Sequence, residues 1–333
     1  MKKFLALTLA LLMVAAVFAG CNSKKDPEAT PEAAEAEYKL GLSLTIAYAN
    51  SQEGNVAADA NVAAVILDKD GKIVDCVFDV VSMSVAVVDG YLDEGAAEAT
   101  FNSKHDIGDA YGMVAYGGAI AEWYKQAEAF ADFCVGKTAA EVKAIALNDK
   151  GAPSDLTSSC TMGVKDYVAA IAKACEDPAA KTFKAEGDVK VGLTANGKVE
   201  SAKDSEADDG AVNYLVTVAA SAVDKDGKLA AAIVDGAQPA FTYDDAGVVT
   251  EAKYNGSKRE LKDNYGMVAY AGAKAEWYKQ AEALENACVG KTADEVKAVA
   301  GADGKASGDL AASCTIYIGG DVANIVVAMG KAK

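Results

Sequence analysis

Apolar residues run along this chain in two different rhythms. "VAAVIL" (62–67) and "KIVDCVFDVV" (72–81) are short apolar runs on either side of Asp68–Gly71, and runs joined by Asp-Gly turn chemistry predict a β-hairpin. "YLVTVAASAV" and "KLAAAIV" flank a second "DKDGK" at 224–228 in the same way. Downstream the period lengthens. Ile120, Trp123, Ala127, Phe130 and Cys134 recur at steps of three and four, which is one face of an α-helix. Glu122, Lys125, Gln126 and Asp132 are expected on its other side. A further helix is expected at "GKTAAE", where Thr138 and Glu141 have capping-box spacing, as do Thr292 and Glu295. A last helix places Val164, Tyr167, Val168, Ile171 and Cys175 on one face, with Val322, Ile325, Val326 and Met329 in the second copy. Strands first and helices later predict an α+β fold: two tandem homologous domains, each an antiparallel sheet packed by its C-terminal helices.

The pattern occurs twice. "YGMVAYGGAIAEWYKQAEA" (111–129) returns as "YGMVAYAGAKAEWYKQAEA" (265–283), and "CVGKTAAEVKAIA" (134–146) as "CVGKTADEVKAVA" (288–300). Repeat 1 is placed at 38–176, repeat 2 at 189–333, and 177–188 between them reads as a linker.

The chain opens with Lys2 and Lys3, an apolar run over 4–19 and "FAGC". That run is short for a membrane span, which needs about 20 residues, and matches a secretory signal. Its small-small-Cys ending resembles the bacterial lipoprotein signal, with residues 1–20 removed and Cys21 lipidated. Residues 21–37 then read as the lipidated Cys and a solvated Ala/Glu/Pro tether. The expected location is the extracytoplasmic face of the cell membrane, with the lipid as the membrane contact.

Charge narrows the partners. Lys and Arg number 32 against 49 Asp and Glu, a net of −17. No basic stripe is present to neutralise phosphates, which excludes nucleic acid as the expected partner. One histidine, His105, and no C-x-x-C argue against zinc, and "DKDG" lacks the distal Glu of a calcium loop. A P-loop would need Gly where Ala131 stands.

Six cysteines follow Cys21. Cys134 and Cys160 recur as Cys288 and Cys314 at the same separation, while Cys76 and Cys175 have no counterparts. Two readings stand. Either Cys134–Cys160 and Cys288–Cys314 are disulfides, stabilising by about 3–4 kcal/mol each, or all four are small buried hydrophobes.

"DLTSSCT" (155–161) and "DLAASCT" (309–315) each precede an apolar helix. A threonine hydroxyl there can cap the helix or carry a phosphate ester. "DLTSSCTMGVKDYVAAI" resembles the attachment segment of the FMN-binding domain family, Asp-x-x-Ser-Gly-Ala-Thr followed by an apolar helix. "LDKDGKIVDCVFDV" and the Gly-turn, Trp, Phe, Gly-Lys order of 111–137 are similar to that family's layout. The resemblance implies FMN esterified through its phosphate to Thr161 and Thr315 by a separate flavin transferase. It carries Asp155 and Ser158 into repeat 1 and Asp309 into repeat 2, where Ala312 replaces the serine. Ser159 and Ser313 stand at the family's Gly, and Cys160 and Cys314 at its Ala. For the flavin ring, Tyr111, Tyr116, Tyr265 and Tyr270, near glycines, are the candidate bed, ahead of Trp123 and Trp277, which read as core.

Three function classes follow. A lipid-anchored FMN carrier for extracytoplasmic electron transfer, fed by a membrane quinone-linked donor, is the first. A cofactor-free ligand-binding or structural lipoprotein of the same duplicated fold is the second. An enzyme is the third, disfavoured because one histidine supports no Ser/His/Asp set.

Overall fold

The computed structural model describes residues 35–48, 51–205 and 208–333. The expected signal peptide, lipidated Cys21 and tether up to residue 34 lie outside the described residues. In repeat 1 the strands are β1 (Glu35–Ala47), β2 (Asn55–Leu67), β3 (Ile73–Val88), β4 (Tyr91–Leu92) and β5 (Thr100–Asn102). The helices α1 (Lys104–Ile107), α2 (Met113–Gly117), α3 (Trp123–Cys134), α4 (Ala139–Lys143) and α5 (Lys165–Cys175) follow them. A connecting strand, β6 (Lys181–Glu186), leads to β7 (Lys190–Lys203), β8 (Gly210–Val223), β9 (Leu229–Ala237), β10 (Ala240–Tyr243) and β11 (Val249–Lys253) of repeat 2. Then come α6 (Lys258–Leu261), α7 (Met267–Ala271), α8 (Trp277–Cys288), α9 (Ala293–Lys297) and α10 (Gly319–Lys331).

All strand pairings are antiparallel, in the orders β4-β3-β2-β1-β6 and β11-β10-β8-β7-β5, with β9 beside β8. The fold is α+β, as the order of elements predicts. In repeat 2 the counterpart of β3 is split into β9 and β10 at Gln238–Pro239, since proline has no N–H to give a central strand.

Four layers result. In β2, Val56, Ala58, Ala60, Val62, Ala64 and Ile66 turn to one side and meet the matching face of β8, Val212 to Ala222, in one cluster. Ala63, Val65 and Leu67 turn to the other side, against Trp123, Phe130 and Ile171 of the helices. In repeat 2, Ala219 and Val223 pack on Trp277, Leu284 and Ile325. The order is therefore helices, sheet, sheet, helices. Strands covered on both faces need the near-continuous apolar runs seen in the sequence.

The repeats interlock. All the described residues fall in one compact unit. β5 of repeat 1 pairs with β7 of repeat 2, and the Tyr214 hydroxyl donates across the sheets to the Val56 carbonyl at 2.6 Å. The segment 177–188, expected as a linker, carries β6. Its Phe183 and Ala185 face the shared core while Lys184 faces out. The expected tether end is also structured, because 35–37 pair with 184–186. Each final helix approaches its sheet over a glycine. A β-carbon on Gly41 would sit 2.1 Å from the Ala174 carbonyl oxygen, and one on Gly192 1.8 Å from that of Ala328.

Candidate functional site

The threonine loop is held by a residue expected to face solvent. Gln126 is fully buried, on the inward side of α3. Its Oε1 accepts from the Thr161 N–H at 2.8 Å, the Thr161 hydroxyl at 3.2 Å and the Met162 N–H at 3.2 Å. Its Nε2 donates to the Ala121 carbonyl at 2.8 Å. Gln280 repeats every bond with Thr315, Ile316 and Ala275. Four residues earlier, Glu122 is also buried, and its carboxylate accepts from the N–H groups of Met113 (2.8 Å) and Val114 (3.1 Å). Glu276 does the same for Met267 and Val268. Residues four apart stack along one helix face, about 6 Å along the axis. The first turn of α3 therefore braces two loops side by side, the Gly-Tyr loop 112–118 and the threonine loop 156–164.

This corrects the expected placement of Glu122 and Gln126. Amphipathic counting sends polar residues outward, whereas here they satisfy loop N–H groups that would otherwise be buried without partners. Ile120, expected on the apolar stripe, precedes α3 and is exposed.

Thr161 does not cap the helix that follows. Val164 holds the N-cap position of α5 and Ile318 that of α10, neither with a side-chain bond. Both threonines are exposed, as are Asp155, Asp309, Ser158, Ser159 and Ser313. Cys160 and Cys314, between the exposed residues, point into the helix–sheet cores. The structure thus brings Ser159 and Thr161 to the surface and uses the cysteine as the loop's apolar anchor.

The four repeated cysteines are free and buried, as are Cys76 and, half-buried, Cys175. The disulfides Cys134–Cys160 and Cys288–Cys314 are absent, so the reading as small core hydrophobes describes the structure. Burial pushes the Cys134 and Cys288 thiols up to about 12 and Cys160 to about 11, so they remain protonated and unreactive at neutral pH.

The tyrosines divide. Tyr116 and Tyr270 are 91% exposed, their rings folded back over Gly112 and Gly266. Tyr111 is already engaged: Lys104 Nζ lies 5.1 Å from its ring centroid and 5.8 Å from that of Trp123. Lys258 stands 5.2 Å from Tyr265 and 5.4 Å from Trp277. These lysines, one per repeat, escaped the sequence reading; their only signal was recurrence at the same repeat position. Trp123 and Trp277 are core, as expected.

Comparison with known proteins gives one partial likeness. A stretch aligned over 91 residues is 35% identical to chlorophenol reductase of Desulfitobacterium hafniense, covering 24% of this chain and 28% of that protein. No family model matches, and no solved structure does.

None of the loop residues named above lines the two most voluminous described cavities, of about 660 and 470 Å³. Tyr265, with Lys258, borders one of about 260 Å³. With Thr161 and Thr315 both exposed, the threonine site is a surface ledge.

Proposed function

We propose that this chain is a surface-anchored lipoprotein that carries FMN, esterified at Thr161 and Thr315, for extracytoplasmic electron transfer. The supporting observation is the ledge built twice: an exposed threonine hydroxyl fixed by a buried glutamine, beside a Tyr-bearing loop braced from the same helix turn. Because the hydroxyl donates to Gln Oε1, its oxygen lone pairs stay available, which suits an ester linkage. Ser158 and Ser159 add hydroxyls for a phosphate tail in repeat 1. The residues present fit attachment; they do not enclose a ring, so the ring would lie on the surface near Tyr116 and Tyr270. FMN, when bound, supplies one- and two-electron transfer. The Thr161 and Thr315 N–H bonds to Gln126 and Gln280, which ester formation leaves intact, hold the attachment residues in place. A flavin transferase and a quinone-linked donor are the partners this reading requires. The partial likeness to a protein named a reductase is in keeping with a redox role.

A second reading, a cofactor-free ligand-binding lipoprotein of the same fold, is favoured by the inter-repeat cavity and by the open threonine ledge. One experiment separates the two. The protein is purified with and without a co-expressed flavin transferase, and a denaturing gel is inspected for flavin fluorescence alongside intact mass. Covalent flavin that disappears in Thr161→Ala with Thr315→Ala is the expected result. Colourless protein under both conditions, with no affinity for added FMN, overturns the carrier reading.

A further inference from the structure

The cavity of about 660 Å³ lies where the repeats meet, between α5 of repeat 1 and β9 and α6 of repeat 2. Its volume is in the range of small-molecule sites. Leu42, Leu44, Val168 and Ile233 give it an apolar wall. Five cations also line it: Lys143, Lys165, Lys173, Arg259 and Lys262. Three are matched by acids, Lys143 with Glu176 at 2.6 Å, Lys173 with Glu260 at 2.6 Å and Arg259 with Glu285 at 2.7 Å. The remaining lining acids are engaged by backbone N–H groups: Asp177 by Leu42 and Ala179, Asp235 by Gly236 and Arg259. Among the described residues, Lys165 and Lys262 have no acidic partner. Lys165 and Lys262 are thus the lining cations without an ion pair, while the acids without one, Asp177 and Asp235, already bind backbone N–H groups, so the two ammonium groups are the ones left to take an anion.

Lys262 strengthens the case. Its backbone stands at φ 50, ψ −121, and the equivalent residue of repeat 1 is Gly108 at φ 58, ψ −132. Repeat 2 thus keeps a lysine on a backbone that repeat 1 gives to glycine, and such strain concentrates at functional positions. The matching cavity on the other side, about 470 Å³, is lined by four acids, Asp75, Asp79, Glu128 and Asp132, against two lysines, Lys331 and Lys333, with His105 where Arg259 stands.

We infer that the inter-repeat cavity binds an amphipathic organic anion, its apolar body against Leu42, Leu44, Val168 and Ile233 and its carboxylate or phosphate head at Lys165 and Lys262. The site is separate from the threonine ledges, so it stands or falls independently of the flavin reading.

Calorimetric titration of the purified full chain with octanoate, octyl phosphate, octanol and octylamine tests it. At least one of the two anions should bind about tenfold or more tighter than octanol and octylamine, and their ranking identifies the head group. Lys165→Glu with Lys262→Glu changes two exposed side chains and should cost that preference. Ala169→Trp, on the exposed side of α5 at the cavity mouth, should block all binding. Thr161→Ala with Thr315→Ala should leave it unchanged. Unfolding midpoints of each variant control for folding. Octanol binding as tightly as both anions, anion affinity unmoved by the lysine reversal in folded protein, or no binding by any of the four overturns the inference.

Discussion

Gln126 and Thr161 are joined twice, through the threonine N–H at 2.8 Å and its hydroxyl at 3.2 Å, both to one amide oxygen. Gln126→Ala leaves those donors and the Met162 N–H without their acceptor. A cost of about 2–3 kcal/mol in urea unfolding is expected, with faster proteolysis within 156–163. Thr161→Ala keeps the backbone bonds and should cost only about 1 kcal/mol. Equal costs for the two would show that the glutamine does not organise the loop.

Glu285 of α8 is buried between Arg259 (2.7 Å) and Lys181 (3.1 Å), so helix α6 and the connecting strand β6 share one carboxylate. Glu285→Ala strands the largely buried Arg259 guanidinium and leaves Lys181 with Glu282 alone, and should destabilise by about 3 kcal/mol. Repeat 1 shows the alternative at the same places, Ala131 and His105. Glu285→Ala combined with Arg259→His should therefore recover part of the loss, read as a higher denaturant midpoint than the single variant.

Lys262 occupies a backbone conformation suited to glycine. Lys262→Gly should stabilise the fold by about 1 kcal/mol, raising the melting temperature by about 2–3 °C. A fall in melting temperature would mean that the lysine side chain contributes more than its backbone costs.

Asp235 titrates far from its ordinary range. Burial pushes its carboxyl up to about 6, only partly opposed by the Ser257 hydroxyl, the N–H groups of Gly236 and Arg259, and the Arg259 guanidinium. A carboxyl raised on folding favours the native state while protonated. Its contribution is complete below about pH 4, the unfolded value, and is lost as pH rises through about 6. That loss amounts to at most about 3 kcal/mol. Asp235→Asn retains an acceptor oxygen and should flatten the decline in unfolding free energy between pH 4 and 7, measured in urea. Parallel pH curves for the two proteins would refute this assignment.

Several features were plain in the residues themselves. "DKDGK" folds as the turn its chemistry dictates, with Asp68 Oδ1 accepting from the N–H groups of Asp70 and Lys72. Thr138–Glu141 and Thr292–Glu295 form the expected capping boxes. The final-helix stripe holds, with Val164, Ile171, Val322 and Ile325 buried. Gln126 was not legible, because a periodicity count treats every glutamine as a solvated one, and its inward role depends on a loop 35 residues away. β6 was missed because its alternation, Lys-Thr-Phe-Lys-Ala-Glu, spans only six residues and carries two apolar ones. The "VAAVIL" run announced burial on both faces without saying what covers each. Helices take one face and the second sheet takes the other, a long-range outcome that local patterning does not encode.

The face shared by the two sheets has a historical corollary. A single copy of this unit would carry a bare apolar sheet, and the surface that fits it is that of its own twin, so the ancestor that best suits this architecture is a homodimer. Fusion into one polypeptide freed the halves from identity. In a dimer of equal subunits, the arginine at 259 and the histidine at 105 would have to be one and the same residue. Joined end to end, they line their two equivalent clefts differently, with Arg259 in one and His105 in the other.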